Sequence, residues 1–128
     1  MINFIKSRIA SFQHAFHGLS YVVRTQKNAW VHVFATTVVV LLALWLALPG
    51  RDWAVLALTI AFVWTAEVLN TSIEAVVDLA SPVHHPLAKV GKDVGAAAVL
   101  IAAATAVLVG LLIMGPPLWA KIVTMIYR

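Results

Sequence analysis

From Val94 to Met114 the chain carries no charged side chain. A helix rises 1.5 Å per residue, so about 20 such residues cross a hydrocarbon core of about 30 Å. This run is read as a membrane span. A second apolar run covers about 30–48, with His32 near its start, and Pro49-Gly50 ends it as a turn dipeptide. Arg51 and Asp52 are then expected to form a very short loop. A further run begins at Trp53 and stays uncharged through Ala66. It then turns polar but keeps helical spacing to about Leu79, giving a span over 53–79. Ser81-Pro82 should end it, because proline disfavours helix in the residue before it. Gly115-Pro116-Pro117 should break the last span, leaving Trp119, Lys121, Tyr127 and Arg128 as an interfacial tail.

Composition leaves little alternative to the bilayer. Hydrophobic residues make up 62% of the chain and charged residues 11%, against about 25% charged in a soluble domain. The formal net charge is +4, but the basic residues are scattered, so no nucleic-acid partner is expected. The chain has no cysteine, which excludes disulfides, thiolate catalysis and Cys-ligated zinc. Its 128 residues suit one domain.

Residues 2 to about 24 place Ile2, Ile5, Ile9, Phe12, Phe16, Leu19 and Val23 three or four apart. Lys6, Gln13, His17, Ser20 and Arg24 occupy other faces, as in an amphipathic helix lying in the interface. Met1 to Lys27 lacks the compact apolar core of a cleaved signal peptide, so targeting is expected to rest on the first span. The fold expected is an all-α, multi-pass membrane protein: three transmembrane helices preceded by an amphipathic surface helix. Lys6, Arg8, Arg24, Lys27, Lys89 and Lys92 fall on one side; Arg51, Lys121 and Arg128 fall on the other. That count of six against three puts the N-terminus and the 81–93 loop in the cytoplasm and the C-terminus outside, across the cytoplasmic (inner) membrane.

Glu67, Asn70, Glu74 and Asp78 are spaced three, four and four residues apart. At about 100° per residue they share one narrow helix face. Carboxylates so close repel and are costly to leave in lipid, so they should face a cavity or interface with a cation to neutralise them. Mg²⁺ is one candidate cation and Lys92, beside Asp93, is another. Carboxylate, Mg²⁺ and lysine are the parts that phosphoryl transfer from ATP uses. The same stripe would also serve as polar glue between helices or as an ion path, and spacing alone leaves all three open. No Walker lysine loop and no Gly-x-Gly-x-x-Gly occurs. His14 and His17, three apart, and the adjacent His84 and His85 do not form a metal-ligand pattern.

The segment Glu67-Val-Leu-Asn-Thr-Ser-Ile-Glu-Ala-Val-Val-Asp78, then His85-Pro-Leu-Ala-Lys-Val-Gly-Lys-Asp93 and an alanine-rich helix, closely resembles the small prokaryotic diacylglycerol kinase and undecaprenol kinase family. Ser11 to Leu19 and Thr25 to His32 resemble that family's opening. The resemblance implies a homotrimeric, ATP- and Mg²⁺-dependent lipid kinase with active sites shared between subunits. By matched position it makes Glu67 the general base for a lipid hydroxyl, Glu74 a Mg²⁺ ligand and Asn70 a supporting polar group, with Asp78 beside them. It makes Lys92, Asp93, His14, Val83, His84 and His85 nucleotide contacts, and loosely Arg8 as well. Where the family often has Thr-Glu-x-Asn with a metal-binding glutamate, this chain has Thr25-Gln26-Lys27-Asn28, so Gln26 brings an amide. His85-Pro-Leu-Ala-Lys89 resembles the undecaprenol kinase branch, which implies a polyprenol acceptor, with diacylglycerol as the alternative. A small proton- or cation-conducting protein and an inactive homologue are the remaining readings.

Overall fold

The computed structural model describes the backbone of residues 1–127 and every side chain in that range except those of residues 2 and 3. The side chain of Ile2 and the tail residue Arg128 therefore lie outside the described residues. Four helices follow one another: α1 (Ile2–Thr25), α2 (Lys27–Trp45), α3 (Gly50–Ala80) and α4 (Pro86–Ile126). The last three are long and apolar enough to cross a membrane. The chain is thus an all-α membrane protein in which one helix precedes three spans. Phe4, Ile5, Phe12, Phe16 and Leu19 of α1 stay exposed, as expected of a face turned to lipid or to a partner.

Gln26 separates α1 from α2. Its backbone is extended (φ −96°, ψ 120°), and its N–H closes α1 on the Val22 carbonyl at 2.9 Å. One non-helical residue is enough to turn the surface helix into the first span.

α2 ends earlier than its apolar run. The Leu48 N–H donates to Ala43 O at 3.2 Å and the Ala47 N–H to Leu44 O at 3.0 Å. These are the two bonds of a Schellman termination, which needs a left-handed residue after the cap. Ala47 occupies it with φ 54°. Leu48 then folds back onto Ala43, Leu56 and Met114 as the core at this end of the bundle.

Arg51 and Asp52 are not a loop, as the sequence suggested, but the first turn of α3. Pro49, extended at φ −69° and ψ 157°, caps that turn, and its carbonyl accepts from the Asp52 and Trp53 N–H groups. Asp52 sits where the positive end of the helix dipole favours an anion. α3 has 31 residues and is about 46 Å long, well beyond a bilayer core, so its polar C-terminal turns pass the apolar slab.

Only a short link joins α3 to α4. The segment expected to be a loop through residue 93 turns helical at Pro86. Proline suits the first helical position, where no N–H is needed, and His85 Nδ1 accepts from the Leu87 N–H at 3.2 Å. Lys89, Lys92 and Asp93 therefore ride on a rigid helix.

α4 also runs straight through Pro116 and Pro117, where a break was expected. Each interior proline costs about 3 kcal/mol in a solvated helix. The helix nonetheless continues to Ile126. The part beyond the prolines is tied down: Lys121 Nζ donates to the Trp45 carbonyl at 2.5 Å and lies 4.3 Å over the Trp45 ring.

α3 and α4 form the most extensive pairing in the bundle. Ala102 is fully buried, and the Gly91 backbone lies against Val77, so small residues on α4 let the two backbones approach.

Candidate active site

Glu67 is the largest fully enclosed side chain among the described residues, with 1% exposure, and it sits mid-span on α3. A carboxylate in such a position requires a partner or a function. Facing it from α2 is His32, itself buried, with Nε2 at 3.6 Å from Oε2. That is too long for a hydrogen bond, and neither atom has another hydrogen-bond partner among the described residues. The imidazole meets the Trp64 ring edge-on at 6.1 Å, and the Trp64 indole N–H donates to Thr36 Oγ1 at 3.3 Å. The Thr71 hydroxyl caps the Glu67 carbonyl at 2.9 Å.

One turn further along the same face, Asn70 Nδ2 donates to Glu74 Oε1 at 3.0 Å. Asn70 is buried because Gly95 of α4 has no side chain: a Cβ there would collide with Asn70 Oδ1. Another turn on, Asp78 pairs with Lys92 at 2.5 Å, while Asp93 pairs with Lys89 at 2.6 Å. Lys89, Asp93 and Asp78 lie largely in the open while Lys92 is half-buried, so the Lys89–Asp93 pair is worth about 0–1 kcal/mol and is easily exchanged for other ions.

Two cavities adjoin this stripe. At its polar end a cavity of about 290 Å³ is lined by Asp78, Val83, His84, His85, Lys92 and Asp93, among others. The structure thus brings together most of the residues read from sequence as nucleotide contacts. Arg8 and His14 line neither cavity; Arg8 lies over Phe4 on its own helix, 5.5 Å from the ring centroid. At the other end an apolar cavity of about 430 Å³ runs between α2, α3 and α4, from His32 to Met114 and Leu118.

Among the described residues, no three His, Cys, Asp or Glu side chains converge as a ready metal cage. Gln26 is half-buried at the head of α2. With His32 opposite Glu67, Gln26 and Glu74 lie six and seven residues toward the same end of antiparallel helices, at roughly equal depth.

The sequence assigns none of His32, Trp64 and Gly95 to the site: Trp64 reads with the other tryptophans as a belt anchor and Gly95 as a small residue for close helix packing. The signal for His32 was present, since an ionisable residue in a span is by default a functional candidate. No sequence signal pairs Gly95 with Asn70, because the contact joins two helices.

A family model described as prokaryotic diacylglycerol kinase matches residues 13–114. The chain is 44% identical over 116 residues to a diacylglycerol kinase of Synechocystis sp., a match covering 90% of this chain and 66% of that protein. It therefore spans just under two thirds of that relative's length. It is 39% identical over 108 residues to an undecaprenol kinase of Bacillus subtilis, covering 84% of this chain and 88% of that one. It is also 39% identical over 74 residues to a diacylglycerol kinase of Escherichia coli, covering 58% and 61%. The chain belongs to the prokaryotic diacylglycerol kinase family.

Proposed function

We propose that this protein is a lipid kinase of the cytoplasmic membrane that transfers the γ-phosphate of ATP to the hydroxyl of a membrane lipid alcohol. One observation carries the reading: a fully enclosed carboxylate, Glu67, begins a polar stripe that ends in a cavity rich in charged and imidazole side chains. About 16 Å of helix separates Glu67 from Asp78, room for a triphosphate to lie along the stripe. The apolar cavity that reaches His32 supports an acceptor with a hydrocarbon body and a polar end.

Glu67 takes the proton of the acceptor hydroxyl. The freed oxygen forms a bond to the γ-phosphorus as the bond to the β-phosphate oxygen breaks, and ADP leaves. Lys92, half-buried in the cavity wall, exchanges the exposed Asp78 carboxylate for phosphate oxygens. Val83, His84 and His85 line the base-side wall, and Asp93 accepts hydrogen bonds from the nucleoside. The donor set fits Mg²⁺, which binds through few protein carboxylates plus substrate phosphates. Glu74, oriented by Asn70, would hold it, with the Gln26 carbonyl as a neutral second donor. When bound, it supplies charge to offset the phosphates.

The acceptor proposed is undecaprenol, on the His85-Pro-Leu-Ala-Lys89 motif. Diacylglycerol is the second reading, favoured by the name of the Synechocystis relative. A homotrimer accounts for Arg8 and His14, which line neither of the two cavities described and would serve a neighbour's site. The six basic residues at the α1 end support a cytoplasmic location for that end and for the polar cavity. The test is radiolabelled ATP with purified protein and both lipids side by side. Label should enter undecaprenol in preference to diacylglycerol. Preference for diacylglycerol would replace the acceptor, and label in neither would end the kinase reading.

A further inference from the structure

α2 is apolar through most of its length, yet it buries an imidazole at its polar end. His32 is 9% exposed, and its Nε2 has no hydrogen-bond partner among the described residues. The atom it faces, Glu67 Oε2, is a second buried orphan. Leaving either unpaired costs free energy. A movement of about half an ångström would join them in a hydrogen bond. The ring is not free to turn away: the Trp64 edge packs on it, and Trp64 is itself anchored to α2 through Thr36. An acceptor and a donor thus face each other across a gap, with the donor's ring already held.

From this geometry we infer that His32 is a positioning residue for Glu67, an assignment that rests on the lipid-kinase reading. The Nε2–H of the neutral imidazole donates to Oε2 and holds the carboxylate plane. The other oxygen, Oε1, then faces the acceptor hydroxyl and receives its proton, while His32 keeps its own proton throughout. Because His32 also lines the apolar cavity, it stands where the hydrocarbon body of the acceptor gives way to its reacting end.

The experiment uses the full-length purified protein and phosphate incorporation into lipid. A hydrogen bond to a charged group is worth about 1.5–3 kcal/mol, so His32→Leu should lower kcat about 10- to 150-fold. The KM for ATP should stay within about twofold, because the nucleotide cavity lies elsewhere. In His32→Gln the amide nitrogen reaches the position of Nε2, and kcat should recover to within about fivefold of wild type. His32→Asn keeps a polar side chain that stops short of Glu67, and should be as slow as His32→Leu. In the Glu67→Gln background, His32→Leu should add no further loss, since a residue acting through Glu67 has nothing left to position. Unchanged kcat in His32→Leu, a loss confined to KM, equal rates for the Gln and Asn variants, or an additive double mutant would each overturn the assignment. If His32→Leu does not fold, the Gln and Asn pair decides by itself. No label with wild type would sink both readings together, whereas an active wild type with insensitive variants would remove only His32.

Discussion

Gly95→Ala separates a packing effect from an effect on the site. A Cβ at Gly95 collides with Asn70 Oδ1, but meets Asn70 Cγ at 3.5 Å and Cα at 3.9 Å, ordinary contacts. The clash is therefore with one atom at the end of a side chain, and rotating the Asn70 amide relieves it. That rotation takes Nδ2 away from Glu74 Oε1, the 3.0 Å bond that orients the carboxylate. Overpacking costs about 1–3 kcal/mol, and alanine returns about 1 kcal/mol of helix propensity. The net loss of stability is then about 0–2 kcal/mol, a fall of a few degrees in Tm. The site loses a charge-assisted hydrogen bond, about 1.5–3 kcal/mol, so the Mg²⁺ concentration for half-maximal activity should rise about 10-fold or more. Gly91→Ala is the control: its Cβ meets only Val77 Cγ2 at 3.5 Å, and Tm should rise or hold with the Mg²⁺ curve unchanged. The assay is a Mg²⁺ titration beside thermal unfolding in the same detergent. A Gly95→Ala curve superimposable on wild type would refute the reasoning, since Asn70 would then not hold Glu74 for the metal.

Glu67→Gln should lower lipid phosphorylation about 10²–10⁴-fold with folding and oligomeric state retained; near-normal turnover would remove Glu67 as the base. Gln26→Glu restores an anionic oxygen at the depth of Glu74 and should lower the Mg²⁺ requirement at saturating ATP and lipid; an unchanged titration would mean Gln26 does not touch the metal. Ala47→Gly relieves a left-handed alanine at φ 54° and should stabilise by about 0.5–1 kcal/mol in thermal unfolding, after the entropic cost of glycine; a lower Tm would contradict the strain argument. Ser81→Cys should react with a membrane-impermeant thiol reagent only from the cytoplasmic side, and Arg51→Cys only from outside; the reverse pattern would put the polar cavity away from ATP.

The apolar runs by themselves determined that this chain crosses a membrane three times, because no aqueous fold can cover so much hydrocarbon with so few charges. The spacing of Glu67, Asn70, Glu74 and Asp78 determined a single polar face, since periodicity is a local property of one helix. Helix ends were less legible. Proline reads as a breaker in water, but Pro86 starts α4, while Pro116 and Pro117 are carried within it. What holds the helix beyond them, Lys121 on Trp45, is a contact with another helix and is not written in the local sequence. What lies opposite each polar group was decided only in three dimensions. The approach of His32 to Glu67 joins α2 to α3, and Gly95 beneath Asn70 joins α3 to α4. Such contacts depend on how helices rotate and slide against one another. Those degrees of freedom follow from the packing of small and large side chains across the whole interface, and no local pattern in one segment encodes them.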